Sequence, residues 1–441
     1  MSQPIEAFRN AFKIPELKRR IIFTLIMLAI YRLGAHVPTP GVDGRALAKL
    51  MGQGGGLLGF YDMFSGGAFR NATVFALGIM PYISASIILS LLVAVVPALE
   101  KLSKEGAEGQ KKITEYTRYG TIVLCMIQSI GIAMFLQSKG ADIVAQPGMG
   151  FVLMCMISFT TGTAFIMWLG EQISEFGIGN GISLIIFVSI VSRMPNALMD
   201  VVKMLANNQL DIFRAGILVI LLVGVVAGAI LVTTGQRRIP VQYPRQVKGR
   251  KVFGGQRNYL PLRVNQAGVI PIIFASSILM LPGMLQGAIN IPVISSFLDT
   301  WFNYQGTVYN IFYALMIIFF SYFYTAITFN PIEIADNMKK YGGVIMGVRP
   351  GKATAEHLHK VMNRITLVGS LFLAVVALLP TMVYSWVQVY NQQVVQFFGG
   401  TSLLILVGVA LDTVRQIEQH LIMRHYDGFS GKGRRTRSRR G

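Results

Sequence analysis

Runs of about 20 apolar residues recur along the whole chain, and this repetition limits the possible folds more than any single motif does. Ten such segments lie at about 21–37, 74–96, 116–136, 151–171, 182–202, 212–234, 264–285, 307–329, 364–384 and 399–420. Each is close to the ~20 residues that cross ~30 Å of hydrocarbon. Inside a bilayer every backbone N–H and C=O must find a partner within the protein, which makes these segments helices. The predicted class is therefore an all-α polytopic membrane protein. Composition agrees, because 14% of residues are charged where a soluble domain carries about 25%. The apolar cores of the fifth and tenth segments are shorter, stopping near Arg193 and Asp412.

Charge orients the spans. The first apolar run, from Ile21, is too long for the apolar core of a signal peptide and no small-residue cleavage site follows it, so it is expected to remain. Arg9, Lys13, Lys18, Arg19 and Arg20 place the amino terminus in the cytoplasm, and an even number of spans returns the carboxyl terminus there. Of 40 Lys and Arg residues, Arg45, Lys49, Arg70, Lys139, Arg193, Lys203 and Arg214 fall on segments placed outside, with Arg32 near the outer end of span one. The net charge of +20 is thus a property of the cytoplasmic face. It suits anionic lipid headgroups and equally an acidic partner such as ribosomal RNA. Cys125 and Cys155 lie within spans and read as packing residues.

Apolar periodicity lapses at 194–211, which divides the chain into a five-span half at 21–205 and another at 206–420. A cytoplasmic segment at 1–20 precedes them, basic loops lie at 235–263 and 330–363, and a basic tail occupies 421–441. Because five is odd, any structural repeat between the halves has inverted topology. The second span of each half carries one pattern, "GIMPYISASII" at 78–88 and "GVIPIIFASSI" at 268–278. Gly78 matches Gly268, and Pro81 matches Pro271. A proline within a span removes a backbone hydrogen bond, so both helices are expected to kink there and to border a symmetric opening.

Coupled carriers need ionisable groups at depth. Arg32, Glu171 and Asp412 sit at span ends and read as interfacial groups. His36, His357, His359, His420 and His425 fall at span ends or on cytoplasmic segments, and an isolated HxH is a weak metal signal. No GxxxxGK[ST] motif occurs, and the glycines of "FGIGNGI" (176–182) suit a tight turn between spans four and five. Neither an enzyme nor a cofactor is expected, and energy must come from a partner. The second spans offer isoleucine instead: Ile79 and Ile83 on one helix face, and Ile273 in the other half. Ordinary packing fits that spacing, and so does an apolar ring that blocks ions by dewetting. Ser84, Ser86, Ser276 and Ser277 on the same spans suit a helix interface that holds and still parts.

The stretch "GLLGFYDMFSGGAFRNATVF" (56–75) is too polar to span and too apolar for an ordinary loop. Leu57, Phe60, Tyr61 and Phe64 recur at helical spacing, and Gly66 and Gly67 interrupt the helix. Asn71 or Thr73 is then expected to cap the span that follows. On this pattern alone the short helix could lie on the outer leaflet or fold back among the spans.

The stretches "MFSGGAFRNATVFALGIMPYISASI", "KITEYTRYGT", "MWLGEQISEFGIGNGISLIIF", "GQRRIPVQY", "NQAGVIPIIFASS", "FNPIEIADNMKKYG", "VRPGKAT" and "FGGTSLLI" closely resemble the SecY/Sec61-alpha family of protein-conducting channel subunits. The resemblance runs from about residue 12 to 420. It implies ten transmembrane helices in two inverted pseudo-symmetric halves forming an hourglass pore. Such a channel passes unfolded secretory polypeptides outward and releases membrane-protein segments sideways into lipid. Carried over by motif, the pore ring is Ile79, Ile83, Ile182, Ile186, Ile273 and Ile405. The plug at 57–72 contains Leu57, Phe60, Tyr61, Phe64, Gly66 and Gly67, and the lateral gate contains Ser84, Gln128 and Leu281. Arg250, Lys251 and Arg349 are the implied docking residues for a SecA motor ATPase or the ribosome. The resemblance further implies SecE-like and SecG-like membrane subunits, anionic lipids as partners, and a bacterial plasma membrane location. The chain departs from the family at Met346, where proline is frequent, in "VTTGQRR", which lacks an acidic residue before the glycine, and in the unusually basic tail 431–440.

Overall fold

A computed structural model of the chain describes residues 14–54, 62–138, 143–243, 246–248, 251–253, 257–288, 306–387, 389 and 391–430. The first helices are α1 (Pro15–Gly34), α2 (Gly44–Gly54), α3 (Met80–Val95), α4 (Pro97–Lys104), α5 (Ala107–Ser138) and α6 (Met149–Phe176). They are followed by α7 (Gly181–Val191), α8 (Met194–Ala206) and α9 (Ile212–Thr234). Strands β1 (Gln236–Gln242), β2 (Gln246–Lys248), β3 (Lys251–Phe253) and β4 (Arg257–Arg263) then lead into α10 (Ile270–Ala288) and α11 (Thr307–Thr328). The remainder is α12 (Pro331–Lys340), β5 (Val344–Ile345), α13 (Lys352–Trp386), α14 (Gln392–Phe398) and α15 (Thr401–Ser430).

Each of the ten apolar segments contains helix, although the second and seventh begin six residues before α3 and α10 and the fifth is divided between α7 and α8. Among the described residues, six helical stretches are long and apolar enough to cross a membrane, or seven if the α3–α4 pair counts as one. That pair bends by 99° at Val96, which is extended as expected of a residue before proline. Gly179, at φ +89°, makes the turn between α6 and α7, and the Asn180 side chain caps α7 by accepting from the Ser183 N–H at 3.1 Å.

The paired prolines do something other than kink a span. Pro81 lies in the first turn of α3 and Pro271 is the second residue of α10. There the missing N–H has no helical partner to lose, and the fixed φ favours helix initiation. Three residues earlier, Gly78 and Gly268 hold φ of +56° and +62°, a conformation that glycine adopts without strain. The shared motif is thus a helix start used twice. The prolines inside helices, well past the first turn, are Pro282 of α10 and Pro380 of α13. Nor do Asn71 and Thr73 cap a span: residues 65–79 are turns, and α3 begins after Ile79 without a side-chain cap.

One large apolar core joins the spans, with α10 packed against α3, α5, α11 and α13, and α7 against α1, α6 and α15. A second, smaller core lies in the segments between spans. There β1 pairs antiparallel with β4, from Gln236↔Arg263 to Gln242↔Arg257, and with β5 at Val241↔Ile345. Ile239 and Val241 alternate inward from β1 and meet Leu262, Phe329, Met338, Ile345 and Leu358. Two loops that are remote in sequence therefore form one module.

Candidate functional site

The segment between α2 and α3 is the most unusual part of the molecule. Residues 62–64 form a helical turn and 65–79 continue as turns, yet Ala68, Phe69, Ala72, Thr73, Ala76 and Leu77 are buried. Irregular backbone at this depth must satisfy its own polar groups. It does so through Gly67 N–H to Asp62 O (2.9 Å), Thr73 N–H to Ala68 O (3.0 Å) and Gly78 N–H to Phe75 O (2.8 Å). The chain after α1 adds Thr39 N–H to Ala72 O (2.8 Å), and Val74 N–H donates to Val37 O (3.0 Å). Gly162 of α6 lets this backbone approach, since a Cβ there would lie 2.1 Å from the Val74 carbonyl oxygen.

Polar side chains fasten the same segment to its surroundings. Asp62 Oδ2 pairs with Arg193 Nη2 at 2.7 Å, while Asp62 Oδ1 accepts from the Arg70 N–H at 2.9 Å. Arg32 Nη1 donates to Gly66 O at 3.2 Å. The Tyr31 hydroxyl lies 2.7 Å from Ser189 Oγ and 3.4 Å from Ser65 O. From α15, the Ser402 hydroxyl approaches Met63 Sδ at 2.8 Å. Gly66 has φ +66°, and a Cβ on it would meet Ser189 Cα at 3.0 Å and Arg32 Nη1 at 3.1 Å. Gly67, at φ +91°, has open space around it. Phe64 is buried, whereas Leu57, Phe60 and Tyr61 lie outside the described residues.

Of the six isoleucines expected to form a ring, five, Ile79, Ile83, Ile186, Ile273 and Ile405, are buried in the core that also holds Met63, Phe64, Ala68 and Phe69. Ile182 is partly buried against that core; a Cβ on Gly170 would lie 3.1 Å from its Cγ1. Apart from Ile79, which precedes α3, all lie in the first two turns of α3, α7, α10 or α15.

Among the described residues, the contact of α10 with α3 and α5 is poor in cross-helix hydrogen bonds. Ser276 donates back to Ile272 O at 2.9 Å and Ile273 O at 3.0 Å, within its own helix. Gln128 Oε1 on α5 and Ser277 Oγ on α10 are buried without a hydrogen-bond partner among the described residues. Ser84 is half-buried on α3. Leu281 belongs to α10, but its side chain lies outside the described residues.

Arg349 is exposed between Gly347 and Gly351, whose φ values are +82° and +97°, and its carbonyl accepts from the Thr354 hydroxyl at 2.8 Å. The neighbouring Met346 is exposed. Lys251 pairs with Lys248 across the β2–β3 hairpin, and Arg250 lies outside the described residues, as do 1–13 and 431–441. Glu171 is tied to Arg118 of α5, Oε1 to Nε, at 2.7 Å. The sequence reading missed Tyr31, Asp62, Ser189 and Ser402 and weighed Arg193 only as a span end. The available signal was Asp62, an acidic residue in an otherwise apolar stretch.

The family model described as SecY matches residues 73–414. "Protein translocase subunit SecY" of Streptomyces griseus is 47% identical over 437 residues, covering 96% of this chain and 99% of that protein. The protein of the same name from Thermotoga maritima is 44% identical over 438 residues, covering 97% and 98%. Among solved structures, one described as "The plug domain of the SecY protein stablizes the closed state of the translocation channel and maintains a membrane seal" matches with a TM-score of 0.64 at 19% identity, over 92% of each chain. Another, "Sec61 in the Canine ribosome-channel complex from the endoplasmic reticulum", matches with a TM-score of 0.61 at 18% identity, over 92% of this chain and 93% of that one.

Proposed function

The chain belongs to the SecY family, and from that premise we propose that it is the central subunit of a channel that carries unfolded polypeptides across the bacterial plasma membrane and releases apolar segments into it. The observation that carries this reading is the largely buried and mostly non-helical segment 62–79, clamped by α1, α7 and α15 in the core that contains the isoleucines. A carrier breaks its helices to bind substrate and coupling ions, and a packing scaffold has no use for a costly irregular element of that kind. A plug does, because it must fit closely and still leave.

The isoleucines Ile79, Ile83, Ile182, Ile186, Ile273 and Ile405 then form an apolar constriction whose side chains spread around a passing chain. The seam of α3 and α5 against α10 is the exit into lipid. Each unpartnered buried polar group there costs about 1–3 kcal/mol, so the seam closes without becoming permanent. Sorting follows from the substrate's own apolarity. A central Asp, Lys or Arg costs roughly 2.5–3.5 kcal/mol in the membrane, while each Leu or Ile returns about 0.3–0.6.

The chain supplies no energy in this scheme. A SecA-like motor ATPase or a ribosome pushes the substrate, docking through Arg250, Lys251 and Arg349. SecE-like and SecG-like subunits and anionic lipids complete the assembly, and both termini face the cytoplasm. A precursor stalled in transit tests the proposal. With cysteines at Ile83, Ile186 or Ile405 it should crosslink to the stalled chain, and with one at the exposed Val219 of α9 it should not. Labelling at Val219 with none at the isoleucines would contradict a central pore.

A further inference from the structure

We propose that Asp62 and Arg193 form a charged latch that sets how firmly the plug is seated, with Arg32 as a second clasp on the same segment. The inference rests on reading 62–67 as part of a plug. It adds that the resting seal is governed by polar bonds to α1 and the end of α7 as well as by apolar fit.

Asp62 is the acidic member of an ion pair whose side chain is only 3% exposed; the carboxylates of the other ion pairs among the described residues are 23% exposed or more. A buried charge is retained only with a close partner, and removing that partner is costly because the remaining charge is stranded. The two oxygens of Asp62 divide the work. Oδ1 closes the local turn through the Arg70 N–H, and Oδ2 reaches out of the segment to Arg193. The second bond is therefore not needed to fold the turn. It fastens the folded turn to the scaffold.

Arg193 suits the scaffold side of such a latch. It stands just past the last turn of α7, where its N–H bonds to Ile190 O at 3.1 Å, and directly before the first residue of α8, so the dipoles of the two helices act on its charge in opposite senses. The two helix ends leave the guanidinium without a net dipole advantage, so its seated position is set by Asp62. Once the plug leaves, both charges regain water in the outer funnel, so pairing and hydration compete closely. Basic residues are scarce on the outward segments of this chain, yet Arg193 and Arg32, the latter near the outer end of its span, both bond to residues 62–66. Opposite them, α15 contributes the Ser402 contact to Met63. The strong fasteners are on α1 and α7, so a plug released from α15 stays tethered to the first half until the latch opens.

The test uses the full chain reconstituted with its partner subunits, and compares Asp62→Asn, Arg193→Gln, the double variant and Arg193→Lys with a deletion of 62–67. Asp62→Asn keeps an acceptor for the Arg70 N–H while losing the charge. Resting ion leak should rise several-fold in each single neutral variant, and precursors with weakened signal sequences should be exported. The double variant should leak no more than either single one, and Arg193→Lys should stay close to wild type. A deletion that leaves the channel tight would remove the plug reading itself. A leaky deletion beside tight single variants, or single effects that multiply in the double variant, would overturn the latch alone. If Asp62→Asn fails to assemble, equal leak from Arg193→Lys and Arg193→Gln would have the same force.

Discussion

Replacing Gly66 by alanine should open the resting channel, and the size of the effect can be built from its surroundings. The residue holds φ +66°, where an L-residue pays about 1–2 kcal/mol. Its new Cβ would sit 3.0 Å from Ser189 Cα, which is backbone, and 3.1 Å from Arg32 Nη1. Displacing the guanidinium breaks a charge-assisted bond to Gly66 O, worth about 1.5–3 kcal/mol. Even with partial relaxation, the seated state loses about 2–4 kcal/mol, or roughly 30-fold to 1,000-fold in its population relative to the unseated one. Gly67→Ala is the internal control, because φ is +91° and nothing lies within 4 Å of the added methyl. It carries the backbone strain alone, about 1–2 kcal/mol. Ion flux from proteoliposomes holding resting channels measures both. The expected order of leak is Gly66→Ala above Gly67→Ala above wild type. A Gly66→Ala channel no leakier than Gly67→Ala would refute the packing of this segment against Ser189 and Arg32.

Polar replacements at Ile83 or Ile273 should raise resting conductance, and unchanged conductance would remove the dewetted ring. Gln128→Leu eliminates a buried, unpartnered carbonyl oxygen, so the seam should tighten by about 1–3 kcal/mol and export of precursors with weakly apolar signals should slow; unaltered rates would oppose the gate assignment. Pro81→Ala and Pro271→Ala should shift the thermal unfolding midpoint in detergent only slightly, because both prolines sit in first turns. Arg349→Glu should impair motor- or ribosome-driven export while the protein itself inserts normally, and wild-type export would argue against docking there.

The mostly helical, membrane-spanning class was legible because a bilayer imposes both a length and an apolar composition, and these survive in the sequence without any tertiary information. The isoleucines were partly legible: spacing alone drew attention to Ile79, Ile83 and Ile273, and resemblance to the family supplied the rest. Pro81 and Pro271 were misread, since an apolar run conceals where its helix begins. The clue was the glycine three residues before each proline. The fasteners of the buried segment were hidden for a different reason. Tyr31 and Ser189 meet across 158 residues, and such pairings follow no period. The sheet escaped notice because β1 and β4 are rich in basic residues and β5, two residues long, comes from a separate loop.

The central claim, a channel with a seam that must part, is most directly tested by joining Ser84→Cys to Leu281→Cys. The native Cys125 and Cys155 are buried, which keeps the background low. Oxidation should link α3 to α10 efficiently and stop export, and reduction should restore it. Efficient linkage with export continuing at the wild-type rate would contradict the account.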